Sequence, residues 1–529
     1  MAAGAASQAG DDDVVLAIDV GTTGLKAAYV ALTGTVIDSA QRQLPATRHS
    51  GDSAVQNPDD WWSGATSAAG ELAQRAKVSP ERIIAVACTG QWGSTVPVGA
   101  DGVAAGEAMM WLDYRGRELS GAQLGGPFAV DGYRPRAALE WIRRAGGAPS
   151  PEGNDPLGHR LWIEHRDADL YARTAHFVEP VDYLNLRLTG IVAATQATMT
   201  LSWLTDNRKL DATGYDPVLV KLAGADPSRL PRLLPTRSVV GKVQARVADQ
   251  IGVRAGTPVV AGLPDLHSAA IGSGACKDFQ GHISLSTSAW TGAHTRAKRT
   301  SMKYQMATVP AGLPGRYVLA NNHDSAGSAM QWLQERIVSP DDGLGRGQPT
   351  LPDLDQLAST IPAGAGGVMF VPWLQGERTP VADTAMRGSF LNMGLNTDRG
   401  DLVRAVLEGV AHQMRWITES SEKVLRHPLT DLRLVGGGAQ SDVWCQIHAD
   451  VLGRPVHRVE QPIMAAVRGA AMFAAMTLGR IQARDIPGRI PLDRTFRPTP
   501  DLAALYDLRH REFVKVHKSQ RDLYHHLNL

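Results

Sequence analysis

With 529 residues the chain exceeds what one hydrophobic core usually organises, so two or three domains are expected and a small stapled module is excluded. Lys and Arg number 54 against 53 Asp and Glu, which removes the basic surplus that nucleic acid demands, and the apolar residues form no run near the ~18 of a membrane span. Cys88, Cys276 and Cys445 lie far apart with no CxxC pair, which argues against disulfides and zinc and fits a soluble protein of the reducing cytoplasm.

In chain order, residues 1–13 are small, polar and finally acidic; they lack the basic start and apolar stretch of a signal peptide and read as a disordered terminus. The runs at 14–20, 82–88, 258–263, 282–286, 367–372 and 432–437 are short and rich in β-branched residues, which predicts buried strands. Amphipathic segments of helical length at 58–76, 399–425 and 441–453 alternate with them and predict an α/β fold. VVLAIDVGTTGLKAAYVAL and GHISLSTSAWTGAHTR share one plan, a strand, a Gly/Thr/Ser turn and a second strand, as if one hairpin were duplicated. The N–H groups of such turns converge without other partners, so two facing turns would clamp a polyphosphate; two ordinary hairpins are the alternative.

Asp19 ends the first strand directly before Gly21-Thr22-Thr23-Gly24, and Lys26 follows in the outgoing strand. A carboxylate suited to Mg²⁺, two hydroxyls and a cation thus gather at one turn, as phosphoryl transfer requires. No G-x-x-x-x-G-K-[ST] element occurs, which disfavours a P-loop kinase.

AIDVGTTGLK resembles the first phosphate motif of the FGGY carbohydrate kinases, within the actin-like ATPase superfamily, and more segments agree in family order. CTGQWGSTVPV (88–98), WLDYR (111–115), YLNLRLTG (183–190), AGLPDLHSAAIGSGA (261–275), SAGSAMQWL (325–333), LQGERTP (374–380) and LVGGGAQSDVWCQIHADVLGRPV (434–456) extend the resemblance over roughly residues 14–480. It implies two actin-like (ribonuclease H-like) α/β lobes, residues 14–275 and 276–529, with an interlobe active-site cleft. It also implies transfer of the γ-phosphoryl group of MgATP to a small sugar, xylulokinase-like and with a ketopentose such as D-xylulose first. A polyol kinase acting on glycerol, erythritol or a pentitol is the rival within enzymes, and a sugar sensor or scaffold without turnover is the rival from another class.

By the same resemblance Asp265 is the catalytic base and joins Asp19 in holding Mg²⁺; a helix N-cap is its alternative role. Thr22, Thr23, Lys26, Thr287 and Ser288 would hold phosphates, while Gly327, Gln331, Gly437, Gly438 and Asp442 would border the nucleotide. Gln91, Trp92, Asp113 and Arg115 would meet the sugar, with core packing the alternative for Trp92 and a structural ion pair the alternative for Asp113 and Arg115. Three departures stand out: Trp92-Gly93 where xylulokinase-type members read Met-His, Leu266 where Gln or Asn commonly follows the base, and His159 in place of a Lys before L-x-W. The departures at Trp92 and Leu266 leave the sugar open. His159 and His267 lack metal-spaced partners and read as core or surface histidines. Glu377, Arg378 and Arg387 read as braces of the lobes or their own loop, and the amphipathic tail at 501–527 as a helix packed on its own domain or on a second copy in a homodimer.

Overall fold

The computed structural model describes residues 12–339 and 349–528, so most of the expected loose terminus lies outside the described residues. Two sheets organise the chain. The first has six strands in the order Val239–Lys242, Pro258–Pro264, Ile83–Gly90, Val14–Val20, Gly24–Ala31 and Val36–Gln43. The second has eight, in the order Thr300–Ser301, Met306–Pro310, Tyr317–Ala320, Ala289–Thr295, Gln280–Leu285, Thr430–Val435, Val456–Val459 and Leu492–Phe496.

The duplicated hairpin is the centre of both. Val14–Val20 pairs antiparallel with Gly24–Ala31 and parallel with Ile83–Gly90, and Gln280–Leu285 pairs antiparallel with Ala289–Thr295 and parallel with Thr430–Val435. Every residue of Val14–Val20 is buried, as a strand covered on both faces requires. One expected strand falls elsewhere: Met369–Val371 pairs only with Ser389–Leu391, against the helix Arg399–Leu425 instead of within the main sheet.

Helices form where the apolar spacing and caps predict them. Asn57 accepts the Asp59 N–H to start Pro58–Gln74, and an Asp398/Asp401 capping box starts Arg399–Leu425. Two further helices join the sheets. Asp265–Gly272 crosses Ala465–Thr477, and the latter, although it comes from the second half of the chain, packs on Val14–Val20 and Ile83–Gly90. A Cβ on Gly272 would lie 1.8 Å from the Ala465 carbonyl oxygen, and one on Gly469 would lie 1.8 Å from that of Ser268, so only glycines permit this approach. The core around the crossing draws Val15, Ala17 and Leu263 from one half and Val318, Val435 and Phe473 from the other. The terminal helix Ala503–Leu527 buries Tyr506, His510, Phe513 and Val516 on its own half, beside Trp373 and Met386. Among the described residues no helix is long and apolar enough to cross a membrane.

Candidate active site

Three parallel strands end side by side, with Asp19 and Leu263 both in register with Thr89. The residues leaving those ends are therefore neighbours: Asp19 with its hairpin turn, Gln91 with Trp92, and Asp265. Carboxyl ends of parallel strands are where α/β sheets receive ligands, because the loops diverge there and leave a crevice.

Asp19 faces Lys26 across the hairpin, with Nζ 3.6 Å from Oδ2. Burial raises the pKa of both acids; at Asp265 the charge of Asp19 adds to the effect and brings it to about 7, against the opposing pull of the Leu266 N–H and Lys26. Two carboxyls sharing one lysine form an oxygen donor set with charge to spare, which suits a hard divalent cation that also binds phosphate oxygens and water. No group of three or more His, Cys, Asp or Glu among the described residues could hold a metal by itself. Asp265 is the first residue of its helix, Pro264 takes the N-cap position, and the carboxylate accepts the N–H of Leu266 at 2.7 Å. It therefore makes no N-cap bond to the following turn, and among the described residues its other oxygen has no protein donor.

In the first turn the Gly21 N–H donates to the Gly24 carbonyl oxygen at 2.9 Å, Thr23 is exposed, and the Thr22 hydroxyl receives the Trp111 indole N–H at 3.4 Å. In the second, the Ser286 N–H donates to the Ser288 carbonyl oxygen at 2.9 Å and Thr287 projects outward. The start of the helix Gly327–Leu333 locks onto this turn, since the Gly327 N–H donates to the Ser286 carbonyl oxygen at 2.8 Å and a Cβ there would lie 2.6 Å from that oxygen. Gly436, at φ +93°, closes on the same strand end, where a Cβ would lie 2.4 Å from the Leu285 carbonyl oxygen. Thr287, Ser288, Gly327, Gly437 and Gly438 are thus brought together.

Two of the expected nucleotide residues are otherwise engaged. Gln331 is exposed and donates to Glu335 one turn further along its helix at 2.7 Å. Asp442 is exposed and paired with Arg458 and Arg494. On the sugar side, Gln91 is buried with an unpartnered Oε1. The Trp92 indole N–H donates to the Thr198 carbonyl oxygen at 2.9 Å, and its ring meets His267 edge-on. Asp113 is fully buried, bonded to the Ala54 N–H and to Arg115, whose guanidinium lies over Trp162. That pair is turned inward and braces the wall of the site. His159 bonds Thr95 and His267 the Pro310 carbonyl oxygen, each buried with its pKa lowered by burial to about 4, so both are core histidines.

Two features have no counterpart in the sequence reading, the bridge through Trp111 and the buried acids Glu179 and Asp182, whereas Glu377 and Arg378 were read there as braces. Trp111 bridges the halves: it touches Thr22 on one side and lies under the Arg378 guanidinium, 5.1 Å from ring centroid to Cζ, on the other. Arg378 is held by Asp324 at 2.8 Å, and neighbouring Glu377 by the buried His323 at 2.7 Å. Glu179 and Asp182 lie buried beneath the Gln91–Ser94 turn, and their signal is an acid just before, and another in the first turn of, a largely buried helix. A surface groove of about 520 Å³ between Leu44–Arg48, Asn57–Trp61 and Ala104–Glu107 contains neither strand-end carboxyl.

Known proteins resemble this chain along most of its length. The N-terminal domain model of the FGGY family of carbohydrate kinases matches residues 14–122 and 154–272, and the C-terminal domain model matches residues 281–478. A xylulose kinase of Staphylococcus epidermidis is 26% identical over 521 residues, covering 97% of this chain and 98% of that protein. A glycerol kinase of Gloeobacter violaceus is 27% identical over 503 residues, covering 91% and 92%. The crystal structure of a xylulose kinase from Rhodospirillum rubrum superposes with a TM-score of 0.79 at 26% identity, over 97% of this chain and all of that one.

Proposed function

We propose, because the chain belongs to the FGGY family of carbohydrate kinases and is an ATP-dependent sugar kinase of the two-lobed actin-like fold, that its acceptor is a ketopentose such as D-xylulose and that Asp265 is the general base. The single observation that carries the base assignment is the place of Asp265. It sits at the meeting of three strand ends, with one oxygen uncommitted and its proton affinity raised to about 7.

The acceptor hydroxyl gives its proton to the free oxygen of Asp265 while its own oxygen forms a bond to the γ-phosphorus of ATP. The bond from that phosphorus to the β,γ-bridging oxygen breaks, and ADP leaves with the electron pair. Lys26 and the two hairpin turns, through Thr22, Thr23, Thr287 and Ser288, supply positive charge and donors to the phosphates. Gly327, Gly437 and Gly438 let the nucleotide approach bare backbone. Asp19 and Asp265 would hold Mg²⁺, whose chemistry is to neutralise phosphate charge during transfer. The first lobe, residues 14–275, brings the acceptor and base, and the second, residues 276–529, most of the nucleotide site.

A polyol acceptor is the second reading, favoured by Leu266, a buried apolar side chain where a hydrogen-bonding neighbour of the base would help select a keto sugar. The test is ADP release by the purified chain with MgATP across ketopentoses, aldoses, glycerol, erythritol and pentitols, with the phosphorylated product identified. The highest kcat/KM is expected on D-xylulose or a neighbouring ketopentose. Preference for glycerol or erythritol would replace the first reading with the second, and ADP release independent of any acceptor would overturn both.

A further inference from the structure

The chemistry above gives no task to Glu179 and Asp182, which are 3% and 2% exposed and have no lysine or arginine partner among the described residues. Glu179 precedes the helix Pro180–Thr189. Its Oε2 accepts the Gly93 N–H at 3.0 Å, and its Oε1 is buried without a hydrogen-bond partner among the described residues. Asp182 lies three residues further on, in the first turn of that helix, and its Oδ2 is likewise buried without a partner.

The Gly93 bond falls on the turn that leaves the strand Ile83–Gly90 with Gln91 and Trp92. At its start the Gln91 N–H donates to the Val20 carbonyl oxygen at 2.9 Å, and at its end the Thr95 N–H donates to the Met109 carbonyl oxygen at 2.8 Å. Between these fixed points Gly93 reverses the chain at φ +81°, where a Cβ would press on Leu201 at 3.1 Å. The Gly93 N–H is a donor inside that reversal, and Glu179 is its acceptor. The neighbouring side chain is anchored separately, because the Trp92 indole N–H donates to the Thr198 carbonyl oxygen at 2.9 Å while the Thr198 hydroxyl donates to the Thr195 carbonyl oxygen at 3.1 Å. The Ser94 hydroxyl also receives the Trp111 N–H at 3.2 Å, extending the anchor toward the contact between the lobes.

We propose that Glu179 is a positioning residue for the acceptor substrate: by holding the Gly93 N–H it sets the angle at which Gln91 and Trp92 meet the sugar. Burial and then the charge of Asp182 raise Glu179 well above the usual carboxyl range, and burial brings Asp182 to about 8. The role follows from the cost of removing an acceptor from a buried donor, which exceeds the net worth of the bond and would be relieved by moving the turn.

This inference rests on the kinase reading, and the experiment separates the two. Steady-state kinetics of the full chain are measured with the best acceptor for wild type, Glu179→Gln, Glu179→Leu and Glu179→Asp. Gln keeps the size and a carbonyl acceptor, so its sugar KM is expected within about threefold of wild type. Leu removes the acceptor and Asp withdraws it by one methylene, so both should raise the sugar KM about tenfold while the ATP KM stays within about twofold. A purely structural Glu179 would lower the melting temperature without this split between substrates. The Asp variant, which keeps the carboxyl group, decides the matter if the Leu variant does not fold. An unmoved sugar KM in either folded variant, with wild type active, overturns the inference alone. A wild-type chain that phosphorylates no sugar or polyol overturns the function and the inference with it.

Discussion

Asp265 has a pH signature apart from catalysis. Its folded pKa of about 7 lies above the ordinary carboxyl value it regains on unfolding, so between those limits the folded chain holds a proton that the unfolded chain releases. Stability therefore falls as pH rises through that window. Asp265→Asn removes the term: without metal or nucleotide its melting temperature should exceed wild type by about 2 °C or more at pH 8, and the gain should vanish near pH 4. Thermal unfolding across a pH series checks this, and a gain that is flat with pH would contradict the shift. Gly437 isolates nucleotide contact in the same way. A Cβ there meets no protein atom within 4 Å, whereas one on Gly438 would press on the Trp444 ring at 2.6 Å. Gly437→Ala should therefore melt within about 1 °C of wild type yet raise the ATP KM by about fivefold or more. An unchanged ATP KM would place the adenosine elsewhere. Asp19, Lys26 and Asp265 were legible as a motif because each ends or follows a strand in the linear chain. Glu179 was not: a Glu before Pro at a helix start reads as a solvent-facing helix end, and its task depends on a turn more than eighty residues away. Asp113 and Arg115, two residues apart, satisfy each other, so the ion-pair alternative describes what they do.

At the scale of elements, short β-branched runs and capped amphipathic helices were readable because burial on both faces and helix-end bonding leave local signatures. Sheet membership is a tertiary property, which is why Met369–Val371 formed a strand as expected but not in the main sheet. The crossing of Asp265–Gly272 with Ala465–Thr477 was equally hidden, since an isolated glycine in a helix announces no partner. That crossing carries a prediction. In Gly469→Ala the new methyl group must displace the backbone at Ser268, in the helix that Asp265 begins. Overpacking of this kind costs about 2 kcal/mol or more. Chemical denaturation should show that loss and, in the fraction still folded, a lowered kcat. Unchanged stability would mean that the helices do not approach so closely.

At the scale of the whole molecule, duplication explains the layout. Two copies of one hairpin centre two sheets, and the shared core around the helix crossing holds the halves in register. The Arg378–Trp111 contact closes the opposite side beside Thr22. The duplicated plan was visible in the sequence, but the bridge through Trp111 was not, because it joins residues more than 250 positions apart. The arrangement predicts that phosphoryl transfer needs the acceptor and Asp265 together, while nucleotide binding by the second half needs neither. The most direct test is acceptor-dependent ADP release by Asp265→Asn under saturating MgATP and sugar, with nucleotide affinity measured in parallel by calorimetry. Turnover should fall about 10²–10⁴-fold with ATP affinity held within about threefold. Turnover near that of wild type would contradict Asp265 as the base.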